Sequence, residues 1–418
     1  MKKRLDFINL KYKPRDDLVC LFKIVPNRIS LEKAANTVAL ESSVGTWTKI
    51  KERDYVEKLK AKVFSIKRNG WIKIAYPSEL FEKDNIPNIL SSIAGNIFGM
   101  KAVKSIRLED ISFPTKILGK FKGPRYGIKG VRRLLKVKNR PFIGTIIKPK
   151  LGLNPKHHAE SAYESWKGGC DIVKDDENLA SQKFNVFEKR LAKTLEMADK
   201  TEKETGEKKV YLVNATAETK EMLKRAQLAE KMGSKYIMVD ILTSGWAAIQ
   251  TLREANFKLA IHAHRAMHAA FDRNPEHGMS MKVIADFARL IGVDQIHIGT
   301  GIGKLEGKIK DIREIKEDIS RMKVKKTEKM LTQDWRNIKP VMPVSSGGLH
   351  PGHVPFLIKH LGKDLVIQAG GGIHGHPFGT QAGAIAMRQA VDAVLKKKSL
   401  KEYARTHVEL EEALNEWC

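Results

Sequence analysis

The chain has 418 residues, 42% hydrophobic and 30% charged, which is enough apolar material for more than one buried core and excludes a disordered chain. Its formal charge of +28, from 76 basic and 48 acidic residues, would suit a nucleic-acid partner, yet the lysines are scattered among acids on apparent helices without a helix-turn-helix, RNP-like or zinc-finger pattern; the excess reads as a solvated surface that draws in anionic substrates. Lysine-rich residues 1–15 lack the apolar core of a signal peptide, no apolar run reaches membrane-spanning length, and Cys20, Cys170 and Cys418 form no CxxC pair, so a cytoplasmic protein without a disulfide framework or cysteine zinc site is expected.

Along the chain, residues 1–122 read as a smaller α+β (ferredoxin-like) domain, with an apolar-aromatic stretch at 63–75 and a helix near 86–94. From 123 to 418 the pattern becomes an alternation of strands and helices. Short β-branched runs recur at 142–147, 171–173, 210–213, 236–241, 259–262, 295–298, 341–344 and 365–368. Between most of them lie amphipathic, helix-length segments such as 154–166, 186–205, 217–232 and 281–290. Eight strands with intervening helices in roughly 290 residues predict an α/β fold, a closed (β/α)8 TIM barrel rather than an open sheet.

Such a barrel carries its active site at the carboxyl ends of the strands, so the polar residue after each run is a candidate. Run one ends in Lys148-Pro149-Lys150, whose two-residue spacing would set both amines on one face. Run two ends in GCDIVKDDE (169–177), where Lys174 and Asp176 share a side and Glu177 follows at the bend. Two readings stand there. One is a lysine neutralised by acidic neighbours. The other is a deprotonated lysine amine that adds CO2 to become a carbamate, completing an all-oxygen anionic set suited to Mg2+ and not to zinc.

Run five supplies His264 and Arg265, and run six supplies His297 ahead of GTGIGKLEG. His264 and His268 at HxxxH spacing would be half a zinc site, with no third ligand nearby. Lys304 lies between glycines at 299–303 and 307, the arrangement of a hinged lid; Leu305 stands where a P-loop needs serine or threonine. Runs seven and eight lead into Ser346-Gly347-Gly348 and Gly370-Gly371-Gly372, loops where barrels commonly bind phosphate through exposed backbone N–H groups.

Taken together, ESSVGTWT (41–48), GNIFGMKA (95–102), GTIIKPKLGL (144–153), GCDIVKDDE, HRAMHAAFDR (264–273), GKLEG (303–307), SSGG (345–348) and QAGGGIHGHPFG (368–379) closely resemble the large subunit of ribulose-1,5-bisphosphate carboxylase/oxygenase, Rubisco, over nearly the whole chain. Ile172 departs from the family's usual phenylalanine. Its side chain is expected to point away from the ligands, altering packing and leaving the chemistry intact.

The resemblance implies that Lys174 is carbamylated by an activating, non-substrate CO2 and binds Mg2+ with Asp176 and Glu177, the metal polarising the substrate to stabilise an enediolate. It further implies that the carbamate takes the C3 proton and that Lys148 protonates the C2 carbanion of the upper product. Lys150 would lower its neighbour's pKa, His264 would assist hydration and proton transfer, and Lys304 would neutralise the new carboxylate. Arg265, His297 and Ser346 match one phosphate site. Thr46, Trp47, Lys304, Gly348, Gly370 and Gly371 match the other, and Gly347 and Gln368 complete the substrate-binding set. In the family, Glu41, Thr46, Trp47 and Asn96 come from a second subunit, which implies a homodimer or a ring of dimers.

A short, lysine-rich chain is similar to the archaeal-type (form III-like) members. That likeness implies ribulose bisphosphate from nucleoside-monophosphate salvage (AMP metabolism), no small subunit, and oxygenation as a side reaction. The alternative enzyme is a Rubisco-like enolase or isomerase of a phosphorylated ketose; such relatives typically lose lid-lysine or phosphate-site residues, whereas Lys148, His264, His297 and Lys304 are all present here.

Overall fold

The computed structural model describes residues 7–46, 48, 53–304 and 307–418. These group into two compact units. One comprises the chain up to Gly123 with Met267–Ile291 and Arg321–Ile338; the other comprises Pro124–Ala266, Gly292–Ser320 and Lys339–Cys418. Strands are numbered along the chain.

In the first unit, β1 (Asp17–Pro26), β2 (Lys62–Ile66), β3 (Trp71–Pro77) and β4 (Val103–Ser112) form an antiparallel sheet. The order is β10-β4-β1-β3-β2, with the short β10 (Gly278–Met279) added in parallel beside β4. Strand β1 is central, and Leu18 to Phe22 are buried without alternation, as a strand covered on both faces requires. Val19 and Leu21 pack with Trp71, Ala75 and Leu331. The stretch at 63–75 divides into β2 and β3 because Gly70, at φ +87°, turns the chain where a side chain would be strained.

Helix Leu31–Glu41 is opened by Ser30, whose hydroxyl accepts from the Lys33 N–H at 3.2 Å, and helix Ile86–Ile93 by Asn85 with Pro87 in the first turn. The helix expected at 281–290 is present as Met281–Ile291, but it clusters with this unit and is buried on every side. Arg289 on it stacks over Trp335 at 4.2 Å and donates from Nη1 and Nη2 to the carbonyls of Arg321 (2.8 Å) and Ile338 (2.9 Å), which meets part of the demand of a charge that has no solvent. A two-stranded ribbon, β12 (Lys323–Val324) with β13 (Gln333–Asp334), completes the unit.

The second unit is a closed barrel of parallel strands: β5 (Phe142–Ile146), β6 (Ile172–Lys174), β7 (Val210–Asn214), β8 (Tyr236–Asp240), β9 (Ala260–His264), β11 (Gln295–His297), β14 (Met342–Ser346) and β15 (Val366–Gln368), the last pairing back to β5. Each of the eight predicted runs is one of these strands. Inward-facing Phe142, Ile172, Leu212, Met238, Met342, Val344 and Val366 fill the barrel, with Val131 and Leu135 of helix Gly127–Leu135 packed against them.

Ile172 therefore lies on the same face as Lys174, one layer below it. The expectation that it points away from the ligands fails because strand alternation has a period of two, which puts residues 172 and 174 on one side.

Acidic residues tie down the amino-terminal end of the barrel. Asp294 accepts from the backbone N–H groups of Tyr126 (2.6 Å), Gly127 (2.9 Å) and Ile261 (3.0 Å). Asp171 takes the Arg140 guanidinium at 2.6 and 2.7 Å and the Ile143 N–H at 2.9 Å. No helix among the described residues is long and apolar enough to cross a membrane.

Candidate active site

Each barrel strand delivers a polar residue at its carboxyl end: Lys148 just past β5, then Lys174, Asn214, Asp240, His264, His297, Ser346 and Gln368. Parallel strands closed into one barrel all end on the same side, so residues far apart in sequence converge on a single mouth.

The end of β6 bears on both readings of GCDIVKDDE. Lys174 is buried, and its Nζ donates to the Asp175 carbonyl at 2.6 Å and lies 3.0 Å from Met238 Sδ. Among the described residues it forms no ion pair with Asp176 or Glu177, whose carboxylates take Lys148 and face His264 instead. Burial pulls its amine below the usual lysine range, against the opposing charges of Glu177, Asp240, Asp176 and Asp175.

Asp176 instead takes Lys148 Nζ at 2.8 Å. Burial pushes the Asp176 carboxyl up, but the Lys148 hydrogen bond and the charges of Lys148 and Lys174 outweigh it and leave the group below the usual carboxylate range. Glu177, partly exposed, places Oε2 3.7 Å from His264 Nε2.

Between these residues Asp175 points the other way and anchors the strand end. It accepts from Arg190 Nε (3.0 Å), the Asn214 N–H (2.9 Å) and the Tyr211 hydroxyl, and lies 3.0 Å from His158 Nε2, all fully buried. His158 and Arg190 belong to helices Pro155–Lys167 and Phe187–Thr205, so both helices hold the loop that carries Asp176 and Glu177. Asn214 Nδ2 adds a bond to the Glu177 carbonyl at 3.0 Å.

On the opposite side of the mouth, His264 Nδ1 lies 2.6 Å from Asp240 Oδ1. The His264 ring meets His297 edge-on at 4.8 Å. Behind them, His262 Nε2 is 2.9 Å from His297 Nε2, and its Nδ1 is 2.8 Å from the Gln295 side chain. Desolvation, then neighbouring positive charge, holds His262 and His297 well below the usual imidazole range, so both are neutral near pH 7.

Arg265 is buried beside Gly299, where an added Cβ would lie 3.2 Å from its Nη2. Gln368 is wholly buried, and neither end of its amide finds a partner among the described residues. A buried amide left open in this way is what a bound polar group would satisfy.

The glycines hold the remaining candidates close together. Gly348 has φ +66°, and a Cβ on it would come within 2.8 Å of Lys304 Cγ and 2.9 Å of the Lys304 nitrogen. A Cβ on Gly370 would lie 3.0 Å from Lys148 Cε. Lys304 thus sits against the Ser346-Gly347-Gly348 loop, and Lys148 against the Gly370-Gly371 turn.

Lys150 departs from expectation. Because β5 stops at Ile146, strand alternation does not extend to 148–150; Lys150 is exposed and donates to Asn178 Oδ1 at 3.2 Å, while Lys148 takes Asp176. Within the first unit, Asn96 Nδ2 lies 3.4 Å from Glu41 Oε1, Thr46 follows that helix, and His268 pairs with Asp272 at 2.9 Å. Trp47 lies outside the described residues.

Sequence reasoning missed Asn214 and Asp240, although the rule that found the others, a polar residue closing an apolar run, applies to runs three and four equally. It also missed His262 and Gln295, which read as ordinary strand residues, and Asp175, whose partners come from three distant segments.

Residues 6–117 match the family described as ribulose bisphosphate carboxylase large chain, N-terminal domain, and residues 127–417 match its catalytic domain. The chain is 52% identical to the ribulose bisphosphate carboxylase of Methanocaldococcus jannaschii, over 99% of this chain and 100% of that one. It is 49% identical to the Pyrococcus furiosus protein of the same name, over 99% and 97%. Among solved structures, the dimeric archaeal Rubisco from Hyperthermus butylicus is similar with a TM-score of 0.93 at 49% identity, covering 99% of both chains. The octameric Rubisco from Pyrococcus horikoshii has a TM-score of 0.92 at 47% identity, covering 99% of this chain and 96% of that one.

Proposed function

This chain belongs to the ribulose bisphosphate carboxylase large-chain family, archaeal type, and is a ribulose-bisphosphate carboxylase; from that premise we propose that it joins CO2 and water to D-ribulose 1,5-bisphosphate through an enediolate, giving two molecules of 3-phosphoglycerate. Oxygenation is the side reaction, nucleoside-monophosphate salvage supplies the substrate, and the cytoplasm is the compartment. The observation that carries the reading is the buried amine of Lys174, set beside two carboxylates and ion-paired to neither.

Once deprotonated, which burial favours, that amine has a lone pair that can add CO2. With the carbamate on Lys174, the donor set of Asp176 and Glu177 becomes all oxygen and anionic, which fits Mg2+. Bound there, Mg2+ supplies the positive charge that favours an enediolate over the ketone.

The chain's own groups do the rest. Lys148, 2.8 Å from Asp176, is placed to deliver a proton to C2 of the upper product. His264, oriented by Asp240, presents Nε2 toward the Glu177 side for the hydration and proton-transfer steps. Lys304 neutralises the new carboxylate, and Gln368 offers its open amide to the substrate. Arg265, His297 and Ser346 hold one phosphate; Gly347, Gly348, Gly370 and Gly371 offer backbone N–H groups to the other. Lys150, with its amine on Asn178, acts from the rim.

Glu41, Thr46, Trp47 and Asn96 complete the site of a second copy, so the working unit is a homodimer or a ring of dimers without a small subunit. Support comes from the assemblies named for its relatives, one dimeric and one octameric.

The test is fixation of labelled CO2 into ribulose 1,5-bisphosphate by CO2- and Mg2+-preincubated protein, with Lys174→Ala and Lys304→Ala as controls. Labelled 3-phosphoglycerate from the wild type, lost in both variants, supports the proposal. Exchange of the C3 proton with solvent and no fixation by the wild type would replace it with an enolase or isomerase.

A further inference from the structure

Three buried side chains behind the mouth form a chain of hydrogen bonds whose polarity bears on substrate binding. Gln295 and His262 are fully enclosed and His297 is buried with a small part exposed, on the neighbouring strands β9 and β11. His262 and His297 approach through like atoms, Nε2 to Nε2 at 2.9 Å. Two imidazole nitrogens at that distance share one proton: with two the hydrogens collide, and with none the lone pairs repel. The tautomers of the two rings are therefore locked to one another.

The far nitrogen of His262, Nδ1, is 2.8 Å from the Gln295 amide, and that amide sets the direction of the whole chain. If its oxygen faces His262, Nδ1 carries the proton, His262 Nε2 is bare, and His297 must spend its own proton on His262. His297 then has only a lone pair on Nδ1. A half-turn about the Gln295 side-chain amide reverses every step. The NH2 group donates to His262 Nδ1, His262 Nε2–H donates to His297, and the His297 proton moves to Nδ1.

Two observations favour the second direction. With the oxygen toward His262, the Gln295 NH2 group is buried with no acceptor, and orphaned buried donors are rarer than orphaned carbonyl oxygens. In addition, the neighbouring Arg265 is a donor that suits an anion, and a lone pair on His297 beside it would repel the same anion. Desolvation also disfavours a second proton on either ring.

We infer that Gln295 and His262 are positioning residues that fix His297 in its Nδ1–H tautomer, so that its imidazole presents a donor to a phosphate group of the substrate. The inference rests on the reading above in taking that ligand to be a phosphate; the tautomer itself is a property of the free protein.

The experiment uses the intact protein labelled with 15N-histidine, with His262→Asn and His297→Asn spectra for assignment. At neutral pH, side-chain 15N shifts separate the two tautomers. The expected wild-type spectrum shows His297 protonated at Nδ1 and His262 at Nε2. Gln295→Glu, whose carboxylate can only accept, should reverse both, and in steady-state carboxylation it should raise KM for ribulose 1,5-bisphosphate at least tenfold with a smaller change in kcat.

A wild-type His297 protonated at Nε2 would overturn the inference, with no variant needed. So would a Gln295→Glu protein in which the tautomers reverse and KM stays the same. Failure of the wild type to fix CO2 would strike the functional reading and leave the tautomer result standing, so the two failures are distinguishable.

Discussion

Replacing Asp240 by asparagine removes a charge and almost no volume, which makes it a clean probe of how His264 is held. The carboxylate is buried, and its Oδ1 is 2.6 Å from His264 Nδ1, a short, charge-assisted contact. Bonds of this kind contribute about 1.5–3 kcal/mol. If that contribution is felt mainly when the imidazole gains charge during proton transfer, kcat should fall by about 10- to 150-fold. KM should stay within about twofold, since Asp240 acts through His264 rather than on the substrate. Fixation of labelled CO2 at saturating ribulose bisphosphate gives kcat, and a substrate titration gives KM. A thermal melt confirms that Asp240→Asn folds. A variant that melts like the wild type and retains more than half its kcat would refute the argument, because His264 would then need no anionic partner.

Other outcomes follow from the same geometry. Gly348→Ala puts a methyl group 2.8 Å from Lys304 Cγ at a residue with φ +66°; it should lose about 1–2 kcal/mol of stability and raise KM about tenfold, and an unchanged KM would show that Lys304 need not lie against that loop. Asp175→Ala strips the buried Arg190 of its partner and should lower unfolding free energy by about 3–5 kcal/mol; an unmoved denaturant midpoint contradicts this. His374 is held down to about 4, chiefly by burial and then by the charge of Lys148. The unfolded chain takes up that proton from about pH 6.5, so the histidine's neutral form is fully stabilising above that pH. As pH falls toward 4 the wild type should lose about 2–3 kcal/mol relative to His374→Gln and nothing further below, checked by denaturation across that range. Finally, mixing Glu41→Ala and Lys174→Ala proteins after co-refolding should restore about a quarter of wild-type activity, because half the dimers are mixed and each has one intact site; no recovery would place Glu41 in the site of its own chain.

Much of the barrel could be read before any coordinates because its strands are buried on both faces. Phe142–Ile146 and Tyr236–Asp240 have no solvent-facing side, so each stands out as a continuous apolar run closed by a polar residue. The same contrast exposed Lys174, His264, His297 and Ser346. It would equally have exposed Asn214 and Asp240, which were passed over for want of a recognised motif around them. Helix Met281–Ile291 was legible as a helix, but its membership was not: nothing in its pattern says that it clusters with the first unit's strands instead of with the barrel.

The sequence by itself determined which residue types can do the chemistry and that they close successive strands, since burial and polarity are properties of each segment alone. Only the tertiary structure decided which of them meet. Lys148 pairs with Asp176 while Lys150 goes to Asn178, Ile172 lies beneath Lys174, and Lys174 donates to the Asp175 carbonyl rather than to an acidic side chain. The physical reason is that a partner is chosen by where strands stop and how a closed barrel registers them, and both are set by contacts between segments far apart in the chain. The Gln295–His262–His297 chain shows this most plainly, because His297 could be read from the sequence while its two partners come into contact only when β9 and β11 are laid side by side.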